Sequence, residues 1–284
     1  MVSDLLVLWD VDGTLLNAGG VGGDLYEAVF LQLFGRSLGT YAPMAGRTDR
    51  AIILETLELA GIREPRRYVD PFIAGLRAHA QSVGEAVSVR GRALPGAATA
   101  LEALAAVRIP RQRAVPAAER VPAGAVPVGA VVPAGVGARR RSGAFGRRAR
   151  LVFPDGPGRV RQSVLTGNVR QLAEVKLAAL GLRDPLDLCI GAYGDDHEVR
   201  AELVHVARRR AEAVHGRVPG DFAGESTVIV GDTPLDMEAA LATGARAVGV
   251  ATGAYPATAL TAAGAHVVLN DLTDTDTVMR ALLS

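Results

Sequence analysis

Leu5-Leu6-Val7-Leu8-Trp9-Asp10-Val11-Asp12-Gly13-Thr14 is the stretch on which the reading of this 284-residue chain turns. Five consecutive apolar residues describe a strand buried on both faces, the kind found in parallel sheets. The strand runs into two carboxylates spaced i, i+2, so in extended backbone both side chains leave the same face. Gly13 lets the chain turn sharply beside whatever the carboxylates hold. Two acids at the carboxyl end of a buried strand pack poorly but suit chemistry, since one can attack or bind a metal while the other moves a proton. An ordinary Asp-Gly turn is the plain alternative. A calcium loop is excluded, because Thr14, Leu15 and Val21 stand where that loop needs a ligand, a glycine and a glutamate.

Composition narrows the class. With 49% hydrophobic residues the chain can bury a large core and split into more than one unit. The start, Met1-Val2-Ser3-Asp4, is acidic and the apolar run after it breaks at Asp10, which does not read as a secretory signal. No apolar run reaches the roughly 18 residues of a membrane span. Cys189 is the single cysteine, so an internal disulfide and a thiolate metal cluster are both excluded. The expectation is a cytoplasmic enzyme with no membrane partner, monomeric or dimeric.

Charge is unevenly placed. The net charge is +1, yet residues 108–160 hold eleven arginines against two acids, Glu119 and Asp155, leaving the rest of the chain acidic. Of 31 basic residues, Lys176 is the only lysine. A composition that replaces lysine everywhere else suggests that this one is chemically constrained, with chance survival as the alternative.

Along the chain, a glycine run (Gly19, Gly20, Gly22, Gly23) fits neither dinucleotide nor P-loop spacing and reads as a flexible entry into a separate unit. Helical periodicity follows over 24–37, 48–60 and 66–82, with Thr48 or Asp49 as an N-cap and Ala45-Gly46-Arg47-Thr48-Asp49 as a tight loop presenting an arginine. Another helix runs from Leu94-Pro95-Gly96 to about Val107. Residues 108–160 then show no helical or strand period. They hold seven prolines and eight glycines, so they read as an insertion that cannot recover its ordering entropy by burial. Order returns with a strand at Gln162 to Asn168, a helix carrying Lys176, a strand from Leu186 to Ile190, and a charged helix over 197–214. Then come the strand Ser226 to Val230, the run Gly231-Asp232-Thr233-Pro234-Leu235-Asp236, and strands at Ala247 to Val250 and His266 to Leu269. Strands alternating with helices predict a doubly wound, mostly parallel Rossmann-like α/β sheet.

Three apolar strands thus end in polar residues: Asp10/Asp12, Thr166/Asn168 and Asp232/Asp236. In open α/β sheets the crevice lies outside the carboxyl ends of the strands. Four acids, a hydroxyl and a lysine meeting there would repel without a cation, and an all-oxygen set suits Mg²⁺. Magnesium, a lysine, a hydroxyl and backbone N–H groups together cradle a phosphoryl group, and a carboxylate nucleophile takes it as an acyl phosphate.

Asp-Val-Asp-Gly-Thr, Leu-Thr-Gly-Asn, the lone lysine and Gly-Asp-Thr-Pro-Leu-Asp resemble, in order, the four motifs of the haloacid dehalogenase superfamily. Within it they resemble the phosphoglycolate-phosphatase-like phosphatases with a small all-helical cap inserted after the first strand. The resemblance implies a catalytic core of residues 1–17 and 91–284, a cap of 18–90, and the 108–160 insertion within the core. It implies Asp10 as nucleophile and metal ligand, and Asp12 as general acid/base with its carbonyl on the metal. Thr166 and Lys176 would hold phosphoryl oxygens, Lys176 also damping charge on Asp10. Gly13, Thr14, Gly167 and Asn168 would line the phosphoryl site. Asp232 would bind Mg²⁺, and Asp236 would be a ligand or a support behind the ligands. Arg47 resembles cap residues that touch the leaving group. Many relatives carry their lysine later, in a Lys-Pro segment that this chain lacks.

The implied reaction is hydrolysis of a small phosphorylated metabolite. Asp12 separates phosphatases and phosphomutases from dehalogenases, which lack an acid there, and a mutase is the alternative reading. The Arg-rich insertion raises nucleic-acid binding, but Phe145 and Phe153 are its only aromatics, too few for base stacking. Glu202 and His205 read as a solvated helix face rather than a metal site, and no Gly-x-Ser-x-Gly supports a serine hydrolase.

Overall fold

The computed structural model describes residues 4–109 and 158–284. In chain order its elements are β1 (Leu5–Trp9), β2 (Leu16–Asn17), α1 (Val21–Phe34), α2 (Asp49–Leu59), α3 (Arg66–Ala78), α4 (Ala80–Arg90) and β3 (Arg92–Ala93). Then follow α5 (Ala97–Ala106), β4 (Arg108–Ile109), β5 (Gly158–Val164), α6 (Arg170–Ala179), α7 (Arg200–His215), β6 (Thr227–Gly231) and α8 (Pro234–Ala242). The chain closes with β7 (Arg246–Val250), α9 (Ala257–Ala262), β8 (Val267–Leu269) and α10 (Thr275–Leu283).

β1 runs through the middle of a six-stranded sheet in the order β4-β5-β1-β6-β7-β8. All neighbours are parallel except the edge pair β4 and β5. The uninterrupted apolar run of β1 follows from this central place. Val7 and Trp9 join a cluster with Leu101 and Leu104 of α5 and Leu282 of α10, while Leu6 and Leu8 join one with Leu203 of α7 and Ala240 of α8. A strand covered by helices on both faces has no polar position to spare. The buried Gln162 that neighbours Trp9 is satisfied, accepting from the indole N–H at 3.2 Å and donating to the Leu101 carbonyl at 2.8 Å.

Helices α1–α4 form a second block with its own core, including Phe30, Ile53, Leu57, Phe72 and Leu76. The chain enters and leaves it through a two-stranded antiparallel ribbon, β2 with β3. α6 packs along α4, and Val169 and Leu172 are part of this second core. Site residues on α6 therefore lie between the sheet and the helical block.

Three expectations need correction. Leu186 to Ile190 is a turn, not a strand. The Asp187 side chain accepts from the Cys189 N–H at 3.1 Å, and such local bonding competes with a ladder. Its apolar residues are still buried. Residues 66–82 are two helices that meet at His79, whose N–H is shared between the carbonyls of Gly75 and Leu76. The ends of the 108–160 segment are paired rather than irregular, Arg108 against Arg159 and Ile109 against Gly158. Residues 110–157 lie outside the described residues. No helix among those described is long and apolar enough to cross a membrane.

Candidate active site

The first carboxylate is held by the strand that carries it. Asp10 donates its N–H to the Val230 carbonyl of β6 at 2.8 Å, so β1 and β6 bring their terminal acids together. The next residues form a tight loop in which Leu15 and Leu16 both bond the Val11 carbonyl at 3.0 Å. Gly13 sits in that loop at φ 88°, and a Cβ there would stand 2.3 Å from Asp232 Oδ2. Only glycine permits both the left-handed backbone and the close approach of Asp232. Thr14 donates to Asp232 Oδ1 at 3.2 Å, and Thr252 holds the Gly13 carbonyl at 2.6 Å.

One oxygen each of Asp10, Asp232 and Asp236 lie within 4.8 Å of one another, all three residues buried. Burial pushes the Asp10 carboxyl well above the usual range, against the opposing pull of Arg200. Asp232 is pushed up to about 7, by burial first and then by Asp236. The group is therefore costly to keep ionised without a cation.

Part of that cation is Arg200, the first residue of α7. Its Nη2 donates to Asp10 Oδ1 at 2.8 Å and its Nε to Asp236 Oδ1 at 2.9 Å. Nη1 and Nη2 also reach the carbonyls of Gly46 and Leu165, at 3.1 and 3.2 Å. Burial works against the guanidinium's charge, but Asp236 and Asp10 outweigh it and hold its pKa above the ordinary value. Asp236 is committed on its other side too, for Oδ2 accepts from the Thr233 N–H at 3.1 Å and hydroxyl at 2.6 Å, closing a capping box on α8.

A second polar ring forms at the ends of β5 and α6. Lys176 Nζ donates to Asp12 Oδ2 and to Asn168 Oδ1, both at 2.7 Å. Asn168 Nδ2 donates to Asp12 Oδ2 at 2.7 Å and to Thr166 Oγ1 at 2.8 Å. Because Thr166 Oγ1 accepts there, its own proton is free to be donated elsewhere. Gly167 approaches the helical block closely, since a Cβ on it would stand 1.8 Å from the Arg47 carbonyl oxygen. Its carbonyl accepts from the Asp49 N–H at 2.7 Å. The Asp49 side chain in turn accepts from the Val169 N–H at 2.7 Å and the Tyr26 hydroxyl at 2.8 Å.

Over these groups lies a cavity of about 500 Å³, lined by Asp10, Asp12, Thr166, Lys176, Asp232 and Arg200 on the sheet side and by the helical block opposite. Residues 201–275, which run from α7 through the Gly231–Asp236 turn to the start of α10, match the family described as HAD-hydrolase-like, HAD standing for haloacid dehalogenase. That segment of the chain is similar to the haloacid dehalogenase-like hydrolases.

Solved structures agree on the fold. A predicted phosphatase from Clostridium acetobutylicum is 14% identical with a TM-score of 0.57, covering 99% of this chain and 100% of its own. A hydrolase from Pseudomonas syringae is 19% identical at a TM-score of 0.55, with 99% and 100% covered. A candidate beta-phosphoglucomutase from Bacteroides vulgatus is 14% identical at 0.53, covering 100% of this chain and 92% of its own. No curated protein matches the sequence.

The fold brings Asp10, Asp12, Gly13, Thr166, Gly167, Asn168, Lys176 and Asp232 around one cavity, with Thr14 buried and bonded to Asp232, but two side chains sit differently from their sequence reading. Lys176 pairs with Asp12, and the group on Asp10 is Arg200. Arg47 lines the cavity, yet its guanidinium is taken by Glu55 at 2.6 Å and by the carbonyls of Pro43 and Ala51 at 3.3 and 3.5 Å. Arg200 is the functional residue that reading missed among thirty arginines. One signal existed: an arginine opening a helix opposes the helix dipole, so it needs an anion nearby.

The residues fit a magnesium ion. All donors are oxygen, Asp10 Oδ2 accepts no hydrogen bond from a described residue, and Gly13 and Gly253 leave Asp232 Oδ2 uncrowded, a Cβ at Gly253 falling 1.7 Å from it. Asp10 and Asp232 would hold the ion, with Asp236 supporting them through Arg200 and Thr233.

Proposed function

We propose that this protein is a phosphatase that cleaves a small phosphomonoester through an aspartyl-phosphate at Asp10. The carrying observation is the convergence of Asp10, Asp12, Thr166 and Asp232, from the ends of three adjacent strands, on one cavity. In the first step a carboxylate oxygen of Asp10 attacks phosphorus and the bond to the leaving oxygen breaks, Asp12 delivering its proton to that oxygen. In the second, Asp12 takes a proton from water as the water oxygen attacks phosphorus, freeing phosphate and restoring Asp10. The Thr166 hydroxyl and the N–H groups of the two motif loops hold the phosphoryl oxygens. Lys176 keeps Asp12 placed against Asn168, and Arg200 opposes the effect of burial on Asp10 and aims it. When bound, Mg²⁺ supplies charge neutralisation for the phosphoryl group.

Helices α1–α4 act as the cap that covers the substrate. The single cysteine, Cys189, is exposed and free, which favours a cytoplasmic setting. Phosphate release from para-nitrophenyl phosphate is expected with Mg²⁺, and it should cease in excess chelator and resume when Mg²⁺ is restored. Turnover unaffected by chelation would remove the metal from the reading, and no turnover on any phosphomonoester would remove the reading itself.

A further inference from the structure

We infer that the leaving group of the substrate is uncharged and largely apolar, an inference that rests on the phosphatase reading. The cavity has two unlike ends. One carries Asp10, Asp12 and Asp232 with Lys176 and Arg200. The other is walled by Val21, Leu25, Met44, Ile52, Val83 and Leu172, from α1, the loop before α2, α2 itself, α4 and α6. A leaving group bound at phosphorus beside Asp10 projects toward that second wall.

On the cap side the Tyr26 and Asp49 side chains have their hydrogen bonds committed within the protein. The Tyr26 hydroxyl donates to Asp49, whose two oxygens are used by Tyr26 and Val169. Asn17 Oδ1 accepts from the Gly19 N–H at 2.9 Å. Among the described residues the cavity's cations are Arg47, Lys176 and Arg200, and each is matched by a carboxylate: Glu55, Asp12, and Asp10 with Asp236. A carboxylate or second phosphate on the leaving group would enter this wall without a counter-ion, at a large desolvation penalty. An alkyl or aryl group would gain from the same wall. The arrangement therefore disfavours acidic leaving groups and the bisphosphate traffic of a mutase.

The test is steady-state kinetics of the full-length wild-type protein with Mg²⁺ on methyl, ethyl, n-butyl and phenyl phosphate, set against phosphoglycolate and glucose 6-phosphate. kcat/KM should climb along the alkyl series by about fourfold per methylene, the worth of burying one CH₂ group, and phenyl phosphate should exceed phosphoglycolate by at least about tenfold. Met44→Lys, a change at a half-buried position, should raise the phosphoglycolate-to-butyl phosphate ratio. Turnover with phosphoglycolate or glucose 6-phosphate preferred, or a flat alkyl series, overturns the inference while leaving the phosphatase reading in place. A Met44→Lys ratio that does not move overturns the assignment of that wall to the leaving group. No turnover of any member overturns both.

Discussion

Arg200 stands 2.8 Å from Asp10, and through its Nε it reaches Asp236, so one buried guanidinium joins the end of β1 to the first turn of α8. Removing it leaves two buried carboxylates facing each other. Arg200→Met is expected to destabilise the fold by about 3–5 kcal/mol, the usual cost of stranding a buried charge. Arg200→Lys should recover only part, because one ammonium cannot reproduce the fork that bridges both acids. Urea unfolding of the three proteins measures this, and equal midpoints for Arg200→Met and wild type would contradict it.

Asp10→Asn keeps shape and most hydrogen bonding but removes the nucleophile. Turnover should fall by about three orders of magnitude or more while the circular dichroism spectrum is retained. Residual activity within about tenfold of wild type would show that Asp10 is not attacked through its own oxygen.

Lys176→Arg should lose nearly as much activity as Lys176→Ala despite keeping the charge. The ammonium is buried and sits 2.7 Å from both Asp12 and Asn168, a space in which a planar guanidinium cannot make the same contacts. Comparing kcat of the two variants decides the matter, and full activity in Lys176→Arg would make the single lysine an accident of composition.

Asp49 predicts a pH dependence of stability. Burial raises its carboxyl from 3.8 to about 6, against the lowering effect of the Val169 N–H. The folded state therefore holds a proton that the unfolded chain releases earlier. Its contribution is fully present below about pH 4 and is lost as pH rises through 6, a change of about 3 kcal/mol. Asp49→Asn should flatten that segment of the stability curve, measured by urea unfolding between pH 4 and pH 7. An unchanged slope would assign the dependence to other groups.

Residues 110–157 can be tested by excision. Ile109 and Gly158 are already antiparallel partners, so a two-residue Asn-Gly connection suits the gap. The shortened chain is expected to retain wild-type kcat and unfold at no lower a urea midpoint, since a shorter loop costs less to close. Loss of turnover with the fold intact would show that the excised residues contribute to the site.

What the sequence determined by itself was the set of strands that end in chemistry. A fully apolar run cut short by Asp10 and Asp12, or by Asp232, reads as a strand covered on both faces with its acids at the open end, and three strands ending in polar residues imply one crevice. Capping at Thr48 was equally legible, because that hydroxyl satisfies a helix N–H only three residues away. Tertiary structure alone decided which cation meets which acid. Lys176 lies ten positions after Thr166, and Arg200 lies 190 residues from Asp10, with 36 separating it from Asp236. No local period encodes such distances. They follow from where α6 and α7 dock on the sheet, which depends on packing of whole helix faces. Leu186 to Ile190 failed for the same reason in reverse: an apolar run buries equally well as a turn, and the Asp187 side chain, not the run, chose the backbone. Arg47 likewise read as free in the sequence because Glu55, eight residues on, faces it only once α2 has formed.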